Sequence, residues 1–259
     1  MPTSAEMPAL AKKARARLLQ MHYEAKVGHL GGDLSCLDAL LVLHLQTMQA
    51  DDVLVLSKGH SAGALYIALW MQGRLSEAQL KTFHKDRTHL ADHPVARWHD
   101  GIRFATGSLG HGLSLAAGTA LSKRLQGQNG QVYCLASDGE WQEGSTWEGL
   151  IFAAHHRLAN LTVMVDLNGL QGFGRTEEVA SMGDLPKKIQ TFGVDLLNVD
   201  GHDLGAISQA LAVPARRPKV IILQTVKGHG ISFMQDTLAW HYLPLTEAQY
   251  RQAMKEVSR

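Results

Sequence analysis

The chain has 259 residues, 45% apolar and 19% charged, enough to build a buried core as one large α/β domain or two small ones. Its 25 Lys and Arg oppose 24 Asp and Glu, for a net charge of +1, so no overall field recruits nucleic acid or an anionic membrane. Lys12, Lys13, Arg15 and Arg17 break any leader-like apolar stretch, no run reaches the ~18 apolar residues of a membrane span, and Cys36 and Cys134 sit in apolar surroundings as buried thiols of a reducing cytoplasm.

In chain order, Leu10, Ala14, Leu18 and Met21 recur at helical spacing until Gly28 stops the pattern, and segments 38–46 and 64–70 read as further helices. The first third is therefore helical. Short β-rich runs follow at 53–56, 132–136, 161–166, 194–199 and 220–225, the later ones separated by helical patterns at 147–156 and 204–211. Alternation of this kind predicts an α/β fold with a mostly parallel central sheet flanked by helices, and residues around Tyr250 and Met254 close the chain with a last helix. No linker, repeat or low-complexity tract divides the chain, so one domain is expected.

Ligands of such sheets sit in the crevice at the carboxyl ends of the strands, which directs attention to the residues that follow them. Asp138, with Gly139 behind it, follows the run 132–136, and Asn168 follows 161–166 one crossover later. A carboxylate and an amide oxygen at one sheet edge are hard ligands for Mg²⁺ or Ca²⁺, and equally two ordinary turns, since Asp-Gly and Asn-Gly are common turn pairs. Gly28-His29, Gly59-His60 and His93-Pro94 place histidines beside residues that permit close approach, although 14 histidines make such pairs common by chance. Zinc is disfavoured, because neither a His-Glu-x-x-His helix nor paired Cys-x-x-Cys knuckles occur. Thr106-Gly107-Ser108-Leu109-Gly110-His111-Gly112 opens a small-residue helix; it has the composition of a phosphate-cradling loop without the Lys-Ser/Thr ending of a P-loop, and close core packing explains it equally well.

Taken in order, Gly28-His29, Leu56-Ser57-Lys58-Gly59-His60, His93-Pro94, Thr106–Gly110, Ser137-Asp138-Gly139-Glu140 and Asn168 resemble the diphosphate-binding half of transketolase, from about residue 10 to 245. The resemblance implies a single diphosphate-binding domain over 1–259 that uses thiamine diphosphate and Mg²⁺ (or Ca²⁺ or Mn²⁺). It implies metal ligands Asp138, Asn168 and the carbonyl of Leu170, and cofactor contacts from His60, Gly107, Ser108, Leu109, Gly139 and His241. His29 and His93 match positions that handle substrate oxygens and assist proton transfer. Two departures stand out: Ser137 replaces the first glycine of the family's Gly-Asp-Gly, and of a Thr-His-x-x-His stretch only His241 is retained, with Leu238 at the first histidine. Lys58, Arg97 and Arg103 are candidates for reading a sugar phosphate, equally explicable as solvated surface charges.

Whole transketolases continue into pyrimidine-binding and C-terminal domains, so the resemblance is to the N-terminal subunit of a split enzyme. The expected partner is a separate polypeptide carrying the pyrimidine-binding domain, in an α2β2 assembly acting on small sugars, with no nucleic acid or membrane involved. The expected reaction is ketol transfer from a ketose to an aldose. The alternatives are other thiamine diphosphate reactions, such as 1-deoxyxylulose-5-phosphate synthesis or 2-oxo acid decarboxylation, and a non-catalytic scaffold that binds the cofactor.

Overall fold

Five apolar segments form the strands β1 (Val53–Leu56), β2 (Val132–Ser137), β3 (Leu161–Leu167), β4 (Asp195–Asp200) and β5 (Lys219–Gln224) of the computed structural model, which describes residues 1–99 and 101–258. They pair in parallel in the order β1-β2-β3-β5-β4, with Val132 opposite Val53 and Leu161, and Val220 opposite Val163 and Leu196. Successive side chains of a strand point to opposite faces, and here both faces are covered, so the runs read as continuous apolar stretches. Leu54, Leu56, Tyr133, Leu135, Met164, Ile221 and Leu223 face one core. Their neighbours Val53, Val55, Val132, Cys134, Val163, Val165, Val220 and Ile222 face the other.

The first face carries α1 (Met7–Ala25), α2 (Leu30–Val42), α3 (Ala62–Met71) and, later in the chain, α9 (Leu204–Ala212) and α10 (Glu247–Ser258). The short α4 (Glu77–Leu80) sits beside α3. The second face carries α5 (Gly112–Leu125) and α6 (Gly144–His155), while the short α7 (Thr176–Val179) and α8 (Leu185–Gln190) bridge β3 to β4. Helix α2 is buried at all 13 positions and is the centre of its layer; each fully buried leucine there contributes roughly 1.5–3 kcal/mol.

Sequence periodicity places this helix at 38–46, yet it begins eight residues earlier and passes at its end into a π-turn, Leu43–Thr47. Gly31 and Gly32 mask its start. They are needed for proximity: a Cβ on Gly31 would stand 3.1 Å from the Cβ of Trp240 and 3.2 Å from the Cγ of Lys227. The five strands lie within a residue of their expected bounds, and no described helix is long and apolar enough to cross a membrane.

Candidate active site

The carboxyl ends of β2 and β3 bring Asp138 and Asn168 side by side, and the Asp138 N–H still donates to the Asp166 carbonyl across the ladder (3.1 Å). Ser137 is the last residue of β2, in ordinary extended backbone, so glycine is not required there. Asp138 is buried; its Oδ1 accepts from the Gly139 N–H (2.9 Å), and its Oδ2 accepts from the Gly169 N–H (2.9 Å) and the Thr176 hydroxyl (2.9 Å). Burial, with the charge of Asp166, pushes its carboxyl up, partly offset by these three bonds. Asn168 closes an Asx turn through Oδ1 and the Leu170 N–H (3.0 Å) and donates from Nδ2 to Asp166 and Ser35. The Leu170 carbonyl accepts from Lys227 Nζ at 3.1 Å.

Four histidines from distant segments line the same pocket of about 220 Å³: His29 at the start of α2, His60 after β1, His93 in the long loop and His241 after β5. Their ring centroids are 5.1 Å (His29–His241), 5.5 Å (His60–His241) and 5.7 Å (His29 to both His60 and His93) apart. His29 holds a left-handed conformation, φ 64°, rare for a non-glycine residue, which turns the chain into α2 at the pocket wall. Burial lowers all three partners: His60 falls well below its ordinary value with help from the charge of Lys58, His241 falls to about 3 with help from Lys227, and His93 falls as well. These rings are neutral at pH 7.

Their tautomers follow from their neighbours. Burial would raise Asp92, but its hydrogen bond with His29 holds it below the usual carboxylate range, and Asp92 Oδ2 accepts from Nδ1–H of the neutral His29 ring at 2.9 Å. Nε2 of His29 is left as an acceptor. Conversely His241 Nδ1 accepts from the Lys227 ammonium at 3.0 Å, which puts the ring proton on Nε2 as a donor. Lys227 itself is pushed down to about 8 by burial and by Lys58. The pocket thus offers one imidazole base and one imidazole donor about a ring's width apart.

Gly107, Leu109 and Gly139 also line the pocket, with Leu170; Ser108 is exposed and faces an adjacent cavity with Thr106 and His111. The loop before α5 is held close: a Cβ on Gly59 would stand 2.6 Å from the Thr106 carbonyl. Buried Glu140 gathers the segments, accepting at Oε1 from the Ser57 hydroxyl and the Gly110 N–H (3.1 Å) and at Oε2 from Ser137 N–H (2.8 Å) and hydroxyl (3.3 Å).

Three sequence expectations need correction or addition. Lys58 lines the floor of the pocket rather than its mouth: it is 1% exposed, ion-paired with Asp166 and bonded to the Gly32 carbonyl (3.1 Å). Burial alone would lower Lys58, and Asp166 outweighs it. Arg97 and Arg103 are exposed and outside the pocket, Arg103 lining a separate cavity with His44 at the amino end of β1. Lys227 and Thr176 are absent from the sequence-derived set, and Glu140 stands in it only as part of the Ser137–Glu140 stretch, without a role; of the two absent residues only Lys227 had a readable signal, as it follows β5 just as Asp138 and Asn168 follow their strands. A further cluster, Asp38, His202 and His229, brings its ligand atoms within 4.8 Å of one another; its two imidazoles stack at 3.5 Å and 10°, and Asp38 is already bound by Arg15 and by His202. These contacts tie α1, α2 and the turn after β4 together.

The parallel sheet thus gathers an acidic turn, an Asn turn and a histidine pocket at its carboxyl edge, where α/β folds bind ligands. Residues 9–258 match the family model described as transketolase, thiamine diphosphate binding domain, and the chain belongs to that family. Among its relatives, an apulose-4-phosphate transketolase subunit of Phocaeicola vulgatus is 35% identical over 96% of this chain and 92% of its own length. The 6-deoxy-6-sulfo-D-fructose transketolase subunit SqwG of a Clostridium species is 37% identical over 90% of this chain and 89% of its own. Human transketolase is 34% identical over 95% of this chain, which spans 41% of that protein. The solved transketolase of Leishmania mexicana superposes on the whole chain with a TM-score of 0.92 at 25% identity, over 42% of its own length.

Proposed function

We propose that the chain is the diphosphate-binding subunit of a two-subunit transketolase that moves a two-carbon ketol unit from a ketose, a phosphosugar by preference, to an aldose. The reading rests on one observation: the sheet edge of Asp138 and Asn168 and the four-histidine pocket form a single site, in a chain that matches individual subunits of split transketolases along nearly their full length.

The residues fit thiamine diphosphate with Mg²⁺. Asp138, the Asn168 amide oxygen and the Leu170 carbonyl form a set of hard oxygens, and Asp138 Oδ1 retains acceptor capacity. When bound, the cofactor supplies the electron sink for cleavage of a carbon–carbon bond. Lys227 and the neutral His60 would hold the diphosphate, and the Gly107–Leu109 loop would flank the cofactor rings. His29, held by Asp92, takes a proton from a substrate hydroxyl at Nε2. His241 donates from Nε2 to a substrate oxygen, and His93, on the same pocket wall, handles a further substrate oxygen beside His29. The partner polypeptide carries the pyrimidine-binding domain with its activating carboxylate, in an α2β2 assembly, and the buried unpaired Cys36 and Cys134 suit the cytoplasm.

Asp138→Ala in the assembled enzyme abolishes cation-dependent binding of thiamine diphosphate in a calorimetric titration; unchanged affinity removes the cation assignment. The chain without its partner gives little ketol transfer, and robust transfer by it alone with cofactor and Mg²⁺ refutes the two-subunit reading.

A further inference from the structure

The carboxylate of Asp92 reaches the pocket through His29, and each of the two is fixed by contacts of its own. Just before Asp92, the Leu90 carbonyl accepts from the His84 N–H (2.7 Å) and the Ala91 carbonyl from the hydroxyl of Tyr66 (2.9 Å), a buried ring of α3. The His29 N–H donates to the His241 carbonyl (3.0 Å), its carbonyl accepts from the Asp33 N–H (3.1 Å), and its ring meets those of His93 and His241 edge-on, at 79° and 88°. Asp92 Oδ2 and His29 Nδ1 then meet at 2.9 Å. An ionised carboxylate only accepts, so Nδ1 carries the ring proton and Nε2 of the neutral imidazole presents a bare lone pair.

A lone pair welcomes a hydroxyl and repels an oxygen that is itself only an acceptor. Cleaving a ketose releases an aldehyde: the bond's electron pair stays with the retained two-carbon unit, and the hydroxyl proton of the departing carbon goes to a base, here Nε2 of His29. Cleaving a 2-oxo acid releases carbon dioxide, with the electron pair again left on the retained unit and no proton to remove. The group set against Nε2 is then a carboxylate, of the same charge as Asp92 behind the ring. Of the pocket's two lysines, Lys58 is paired with Asp166, and Lys227 is bonded to the Leu170 carbonyl and His241 Nδ1, so both are engaged away from His29.

We infer that Asp92 is a specificity-determining residue: by fixing the tautomer of His29 it makes the site take its two-carbon unit from a ketose and refuse a 2-oxo acid, an inference that rests on the ketol-transfer reading above. Where a carboxylate orients a catalytic imidazole, changing it to the amide keeps the geometry yet costs up to about 10⁴-fold in rate through the wrong tautomer. In Asp92→Asn the amide either accepts from Nδ1–H through its oxygen or donates to Nδ1 through its nitrogen. The ring proton is then free to sit on Nε2, where it meets a carboxylate favourably.

The test compares donors in the assembled enzyme with thiamine diphosphate, Mg²⁺ and one common acceptor: fructose 6-phosphate and xylulose 5-phosphate against hydroxypyruvate, a 2-oxo acid that leaves the same two-carbon unit. Asp92→Asn lowers kcat/KM for the ketoses about 100-fold or more and for hydroxypyruvate far less, so the ratio between the two classes falls about tenfold or more. Independently of turnover, nitrogen-15 NMR of the labelled assembly without cofactor shows His29 protonated at Nδ1 alone in wild type, the signal being assigned by its loss in His29→Gln, and a mixture of tautomers in Asp92→Asn. Should the asparagine variant fail to fold by thermal melt, Asp92→Ala is held to the same ratio and the same spectrum. Equal losses with both classes of donor, or an unchanged single tautomer, overturn the role of Asp92. A wild-type assembly that cleaves neither ketose overturns the ketol-transfer reading, and this inference falls with it.

Discussion

Replacing Lys58 by methionine leaves Asp166 buried without its cation. Lys58 and Asp166 are 1% and 0% exposed, and the pair joins β1 to β3 directly behind Asn168. Burial would raise Asp166, and contact with Lys58 holds it below the usual carboxylate range, so in Lys58→Met the charge loses its counterion but keeps the donors Ser35, Thr225 and Asn168. Removing one partner of a buried pair costs about 3–5 kcal/mol, and the three remaining donors place this site at the lower end, about 3 kcal/mol. For a domain of this size that is a fall in Tm of roughly 6–12 °C. The double variant Lys58→Met with Asp166→Asn removes the stranded charge and recovers about half of the loss. Urea unfolding of wild type, both single variants and the double variant at pH 7 closes the cycle. A Lys58→Met variant within 1 kcal/mol of wild type, on the order of the error of such cycles, or a double variant no more stable than the single, refutes the reasoning.

Two further outcomes follow from the same geometry. Burial holds His44 neutral with a pKa of about 4, so the unfolded chain binds a proton that the folded one refuses: stability is full above about pH 6.5 and declines as pH falls towards 4. In His44→Asn the slope of unfolding free energy between pH 6.5 and 4 becomes shallower by about 1.4 kcal/mol per pH unit, and an unaltered slope in urea titrations counts against it. Phe173 is 85% exposed and lines the pocket rim together with Tyr242. Phe173→Ser therefore leaves the melting temperature of the chain unchanged while weakening association with the partner polypeptide at least tenfold in sedimentation analysis, about 1.4 kcal/mol or more; unimpaired association takes the rim out of the interface.

The strands were readable because a strand buried on both faces is a bare apolar run bounded by turns, and Val53–Leu56 agrees residue for residue. The start of α2 was not, since glycines that serve close packing against Trp240 and Lys227 look like a loop in sequence. His29, His60, His93 and His241 were identified through ordered resemblance, and the fold does gather them. Lys58 was left between a phosphate reader and a solvated charge, because its burial is decided by Asp166, more than a hundred residues away. Thr176 had no local signal, and Glu140, although inside the Ser137–Glu140 stretch, had no readable role: what marks both is the donors and acceptors of other segments that only tertiary structure supplies.

The strand order carries a consequence for how the site comes into being. β4 pairs with β5 alone, and β5 lies between β3 and β4, so the penultimate strand in sequence has no sheet to join until the last has been inserted. Pairings of this kind delay folding until distant segments meet. Lys227 and His241 follow β5, and the carbonyl of Leu170 and the tautomer of His241 both depend on Lys227. Ligand binding is thereby coupled to completion of the sheet: a nascent or partly opened chain offers the acidic turn and three histidines but not the pocket, which is withheld until the final strand locks in.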